Sequence, residues 1–196
     1  MIAVINRSSL ADTDVSFFAN ACDLQMRNHF CPAWQGVPYQ PVEFFVNEKD
    51  LPVASGIAKL MIIQDTIDDA SALGYHTFVG VPYGIVLAQG DRTSVTLSHE
   101  CLEMAADETA SKWSPWTDAG KIVALEVCDP VESDTYEISV TIMGIVRQIS
   151  VSDFVLPSWF QPAGNAPFDF LDVLRSPLQV ATGGYVVIQD KGGGNV

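Results

Sequence analysis

The stretch Ser98–Asp107, reading SHECLEMAAD, constrains the fold of this chain more than any other. On a helix at 100° per residue, with His99 at zero, Glu103 lies at about 40°, Asp107 at about 80° and Glu100 at about 100°. Val95, Leu97, Cys101, Leu102, Met104, Ala105 and Ala106 fill the rest of the circle. One narrow polar stripe therefore runs along a helix that is otherwise apolar on every side. Such a helix must be packed nearly all round, and the stripe goes in with it. Glu103 and Asp107 are like charges four residues apart, a cost of roughly 0.2–0.5 kcal/mol before burial is counted. Buried charges need a counter-charge, and a divalent cation is the simplest one.

His99-Glu100-x-x-Glu103 differs by one residue from the H-E-x-x-H zinc signature. In that signature residues i and i+4 point the same way and hold one ion, and the intervening Glu serves as general base on water at that ion. Here Glu103 offers a carboxylate oxygen in place of the second imidazole. Zinc accepts such a ligand, but the harder donor weakens the preference for zinc over other divalent ions. A second acidic cluster follows at Glu126-Val127-Cys128-Asp129-Pro130-Val131-Glu132. The spacing from His99 allows the helix to be followed by a return segment that brings back a third ligand. Glu126 is read as that ligand and Asp129 as the carboxylate that orients His99. Asp129 or Asp107 as the ligand instead stays open.

Charge and hydropathy exclude several classes. The 196-residue chain carries 24 acidic and 10 basic residues, a net charge of −14. That balance argues against a nucleic-acid binder working by phosphate neutralisation and against a polybasic membrane anchor. With 48% apolar residues the chain can build a core, which argues against disorder. No apolar run reaches the roughly 18–20 residues of a membrane span. Met1-Ile2-Ala3-Val4-Ile5 lacks the basic flank and long apolar region of a signal peptide and reads as a first strand, so a cytoplasmic origin is expected. Cys22, Cys31, Cys101 and Cys128 are too few and too scattered for a disulfide framework, and they are read as reduced.

Along the chain, a strand over 2–6 leads into a helix over 14–30 that Pro32 closes. Strands are expected over 42–46, 59–63, 74–79 and 83–88, then the helix from Thr93 to about Lys112, ended by Ser114-Pro115-Trp116. A run of unassigned type covers 122–127. Strands at 135–142 and 145–151, an aromatic connection at 154–160 and a last strand near 184–189 follow, with Gly192-Gly193-Gly194 as a frayed tail. The reading is one α/β (α+β) domain over 1–196, with 131–196 as a β-rich C-terminal extension.

The order of blocks resembles a family of zincin-like, metallopeptidase-like proteins of tailed phages and bacteria. The blocks are Gly74-Tyr75-His76, Pro82-Tyr83-Gly84, Ser98-His99-Glu100-x-x-Glu103-Met104 with Asp107, Glu126 to Glu132, and Val151-Ser152-Asp153-Phe154-Val155-Leu156-Pro157-x-Trp159-Phe160. The resemblance covers roughly residues 60–165. It implies a zincin-like mixed sheet, mostly parallel, with an N-terminal helix, an active-site helix beneath, and the strand at 83–88 as the edge strand above the cleft. That edge can bind an extended peptide by strand addition.

The expected function is a metal-dependent hydrolase, most simply a peptidase, with His99, Glu103 and Glu126 holding Zn2+ and Glu100 as base. His76 or Tyr136 is the candidate donor to the developing oxyanion. The alternative is a structural or assembly protein of a phage particle with a structural metal, Ca2+ included, or none. The partners follow: a peptide or protein substrate in one case, other virion proteins and a homo-oligomer in the other. A Cys-His nucleophile is disfavoured because Cys101 faces away from His99 on the helix, and Trp159 and Phe160 read as core.

Overall fold

The computed structural model describes residues 1–51, 59–68, 72–116 and 120–191. The expected tail, Gly192-Gly193-Gly194, lies outside them. The fold is α+β. β1 (Ile2–Arg7) runs into α1 (Asp12–Gln25), a π-helical turn over Met26–Phe30 and a short α2 (Cys31–Ala33). β2 (Val42–Phe45), β3 (Lys59–Gln64), β4 (Gly74–Phe78) and β5 (Pro82–Leu87) precede α3 (Thr93–Ala106). β6 (Trp113–Pro115), β7 (Lys121–Ala124), a 3-10 turn over Asp129–Val131, β8 (Thr135–Ile142), β9 (Ile145–Ser152) and β10 (Ile188–Asp190) complete it.

The main sheet has the order β2-β1-β3-β5-β4. Its first three pairings are parallel, and β4 alone runs antiparallel, against β5. The inner strands are those with unbroken apolar runs, as a sheet covered by helices requires. Met61, Ile63 and Val86 are fully buried there. α1 and α3 pack on each other. α3 also meets β4, β5 and β9, while α1 meets β2, β8 and β9, so both helices lie between the main sheet and the β8–β9 hairpin. This is what the composition of α3 demands: from Leu97 to Ala106 every residue is buried.

Several boundaries differ from expectation, each for a local reason. α3 ends at Ala106, not near Lys112. The Asp107 carboxylate accepts the backbone N–H groups of Thr109, Ser111 and Lys112, which turns the chain out of the helix and into β6. Pro32 does not close the first helical stretch. It sits in the first turn of α2, where a missing N–H is tolerated, after the π-helical turn has reset the register. β5 is not the edge strand. The turn at Val79–Val81, with Gly80 at φ +87°, folds β4 back along β5, so β5 lies beside β3 and β4 takes the edge. The last strand is Ile188–Asp190, paired with β7, because residues 181–185 are held elsewhere.

Those residues clamp the turn that carries Asp129. Ala181 N–H donates to Pro130 O at 2.9 Å and Tyr185 N–H to Asp129 O at 3.0 Å. A Cβ on Gly184 would collide with the backbone of Asp129 and Pro130, and backbone cannot step aside as a flexible side chain can. Gly184→Ala is therefore expected to cost about 1–3 kcal/mol, the usual range for overpacking. Chemical denaturation of the variant tests this, and an unchanged midpoint would show that the clamp is loose.

The segment after β9 builds an aromatic floor. Trp159 is fully buried, with its indole N–H donated to Gln179 O at 2.7 Å, and Phe160 is buried beside it. Phe154, Phe170 and His29 stack in series. Asp153 is fully buried beneath this layer. Burial, reinforced by Asp169, pushes its carboxyl up to about 8. A raised carboxyl favours the fold below the ordinary pKa and loses that contribution as pH rises toward 8. Asp153→Asn is thus expected to stabilise the protein by a few kcal/mol, roughly, at pH 9 and to be near neutral at pH 4. A change independent of pH would exclude this origin.

Candidate metal centre

α3 delivers His99, Glu100 and Glu103 to one place, and the segment after β7 brings a second set of carboxylates against them. Glu103 is fixed first. Its Oε1 accepts the Cys128 N–H at 3.0 Å, so Oε2 is aimed at the imidazoles. His99 Nε2 lies 3.2 Å from Glu103 Oε2 and 3.2 Å from Asp129 Oδ1. The other ring nitrogen, Nδ1, lies 3.2 Å from Glu132 Oε2. Asp129 opens the 3-10 turn that Pro130 stiffens, and Tyr185 stands against it, its backbone N–H donated to Asp129 O.

His76 enters from the edge strand β4. Its Nδ1 lies 3.3 Å from Glu100 Oε2 and 3.8 Å from Glu103 Oε2, and its Nε2 lies 4.0 Å from Glu126 Oε2. Gly74, two residues earlier on the same face, leaves room for Glu100. A Cβ there would stand 2.9 Å from Glu100 Oε1 and 2.7 Å from Thr96 Cγ2.

The electrostatics are those of a crowded, dry acidic cluster. His99, Glu100, Glu103 and Asp129 are all less than one-tenth exposed. Burial alone would lower the His76 pKa, but the Glu100 hydrogen bond and the charges of Glu100, Glu103 and Glu126 outweigh it and carry it to about 9. Burial also opposes charge on His99, and Glu103, Cys128 and Asp129 outweigh it, so His99 titrates well above the ordinary histidine range. Burial, then Glu103, pushes Glu126 up to about 8. Burial likewise raises Glu100, Asp129 and Glu132. Glu103 goes the other way: burial opposes its charge, but His99, His76 and the Cys128 N–H hold it below its ordinary value.

These groups can hold a metal ion. His76, Glu100 and Glu103 form one set of ligand atoms within 4.8 Å of one another, and His99, Asp129 and Glu132 form another. Four ligands at about 2.0–2.1 Å from a tetrahedral ion stand about 3.3–3.4 Å apart. The 3.2 Å separations of His99 Nε2 from Glu103 and Asp129 are close to that spacing. The donors are imidazole nitrogen and carboxylate oxygen, which suits a first-row divalent cation.

A cavity of about 800 Å³ opens onto the cluster, lined among others by Gly74, Arg92, His99, Glu100, Glu132 and Tyr185. The remaining candidates lie elsewhere. Asp107 is spent on the backbone at the end of α3. The Tyr136 hydroxyl is held by His29 Nδ1 at 2.9 Å and Gln25 Nε2 at 3.2 Å. All four cysteines are free thiols. Two site residues had no assigned role in the sequence. Glu132 stands three positions after Asp129 across Pro130, a spacing that puts both on one face of a tight turn, and this was its available signal. Tyr185 had none, because only the fold brings it to Asp129.

Among the described residues no helix is long and apolar enough to cross a membrane. Comparison with protein-family models, curated proteins and solved structures found no match to this chain.

Proposed function

We propose that the protein is a metal-dependent hydrolase of zincin type that cleaves peptides, with His99, Glu103 and Asp129 as the ligands of one divalent ion, zinc by choice. The observation that carries this reading is the convergence of Glu103 Oε2 and Asp129 Oδ1 on His99 Nε2, beside Glu100 at a cavity wall. The expected third ligand, Glu126, stands instead next to His76. The mostly parallel sheet, its antiparallel edge strand and the buried helix also fit the zincin-like resemblance.

His99, Glu103 and Asp129 would hold a divalent ion, which would supply Lewis acidity toward water and a substrate carbonyl. The protein's own groups do the rest. Glu100 accepts the proton, and its burial raises its basicity above that of an ordinary carboxylate. His76, 3.3 Å from Glu100 Oε2, fixes the carboxylate in place. Tyr185 presents a phenol at the cavity wall, the position that donation to an oxyanion requires. β4 leaves one side unpaired among the described strands, and an extended peptide adds there. Elemental analysis of the wild type beside His99→Ala, followed by a peptide-library cleavage screen, tests the proposal. About one ion or more per chain, lost from His99 in the variant, with cleavage in the wild type supports it. No metal in either protein overturns it.

One observation favours the assembly-protein reading. Two hairpin tips expose apolar side chains: Phe78, Val79 and Val81 on one, Met143, Ile145 and Val146 on the other. Apolar tips suit burial in a larger particle. A high oligomer in solution without cleavage would favour that reading.

A further inference from the structure

We propose that the cluster holds two divalent ions bridged by Glu103, rather than one. This rests on the metal-centre reading above and adds a second site to it, built on His76, Glu100 and Glu103.

The same arrangement occurs twice. His99 presents Nε2 to two carboxylates and Nδ1 to a third, Glu132. His76 presents Nδ1 to Glu100 and Glu103 and Nε2 to a third, Glu126. A metal-ligating histidine characteristically donates its other ring N–H to a carboxylate, which fixes the tautomer and the ring orientation. Both histidines have a carboxylate on that side, Glu132 at 3.2 Å from His99 and Glu126 at 4.0 Å from His76.

The two halves share one atom. Glu103 Oε2 faces His99 Nε2 and His76 Nδ1, while Oε1 is tied to the Cys128 N–H. That leaves Oε2 held between the imidazoles, where a carboxylate bridges ions that stand about 3.5–4 Å apart in two-metal sites. Glu100 binds the second ion through Oε2, and its Oε1 stays over Gly74 at the cavity.

A separate observation marks the far side of the His76 ring as unsatisfied, while Nδ1, the proposed ligand atom, meets Glu100. The His76 side chain is 3% exposed, and its Nε2 has no hydrogen-bond partner. Glu126 Oε2, 4.0 Å away, has none either. Both atoms are buried, face each other and stand too far apart to bond. An ion on Nδ1 would fix the proton on Nε2, on the side facing Glu126, and the two must close from 4.0 Å for that bond to form.

Charge agrees. Five carboxylates surround two imidazoles. One divalent ion offsets two of those negative charges, and two ions offset four.

The test uses the full chain, stripped of metal and dialysed to equilibrium against Zn2+ alone, with zinc counted per chain. Two ions are expected in the wild type and one in His76→Ala. Glu126→Gln, nearly isosteric, is expected to keep the fold and release the second ion about 10–100-fold more readily. It carries the test if circular dichroism shows His76→Ala unfolded. With Mn2+ as probe, a spin-coupled pair is expected in the electron paramagnetic resonance spectrum of the wild type, replaced by an isolated ion in His76→Ala. One ion in the wild type, unchanged by either substitution, overturns the second site and leaves the single-ion hydrolase standing. Two uncoupled ions overturn the Glu103 bridge. No ion at all overturns both readings.

Discussion

Glu100→Gln is expected to keep the ion at His99 while peptide turnover falls about 10²–10⁴-fold, the range that general-base catalysis supplies. The substitution preserves shape and removes the basic site; on the two-ion proposal it also weakens the second ion, so metal is counted beside turnover. The ligands proposed for the His99 ion are His99, Glu103 and Asp129, so the substitution leaves that set intact. The pH profile sharpens the test. The acidic limb of the wild-type profile is expected to report the Glu100 carboxyl. The variant is expected to lose that limb together with the rate. Retained turnover with a retained limb would remove Glu100 as the base.

Chelation is expected to have the largest effect on stability, and the effect is expected to grow with pH. At a free ion concentration a thousandfold above Kd, binding contributes about 4 kcal/mol. For a chain of this size each kcal/mol moves Tm by about 2–4 °C, so removal is expected to lower it by about 8–16 °C. Without metal, Glu126 titrates at about 8 and His76 at about 9, both raised, and Glu100, Asp129 and Glu132 are raised as well. Raised groups support the fold below their unfolded pKa values and lose that support as pH rises through the folded ones. Glu103 alone works in the opposite sense. The metal-free protein should therefore weaken between about pH 4 and pH 9, while metal binding strengthens as protons leave the ligands. Thermal melts with and without chelator at pH 5, 7 and 9 should diverge. A gap that is constant or closes with rising pH would refute this account.

The parts of the site that the sequence revealed are those held by local geometry. His99, Glu100 and Glu103 share one helix, and helical spacing alone puts His99 and Glu103 on one face. The burial of α3 followed from its nearly continuous apolar surface. What was not legible depends on which strand lies next to which. The edge position of β4 comes from the Gly80 turn and the register along β5, and this is what brings His76 to the cluster. The choice among Glu126, Asp129 and Glu132 depends on how one turn is oriented, and that orientation is set by residues 181–185. The end of α3 was misplaced because Asp107, read as part of the polar stripe, acts on the backbone instead.

The contact between residues 181–185 and the Asp129 turn also sets a timetable. Asp129 is translated well before the segment that pins it, by roughly fifty residues, or about 3–11 s at 5–20 residues per second. During that interval the nascent chain already carries its acidic ligands without the clamp that orients one of them. Under the metal-centre proposal, an ion captured then would meet a softer cage than the finished one. On the proposed reading the centre would mature in two stages, a loose loading followed by a late locking when Gly184 and Tyr185 arrive.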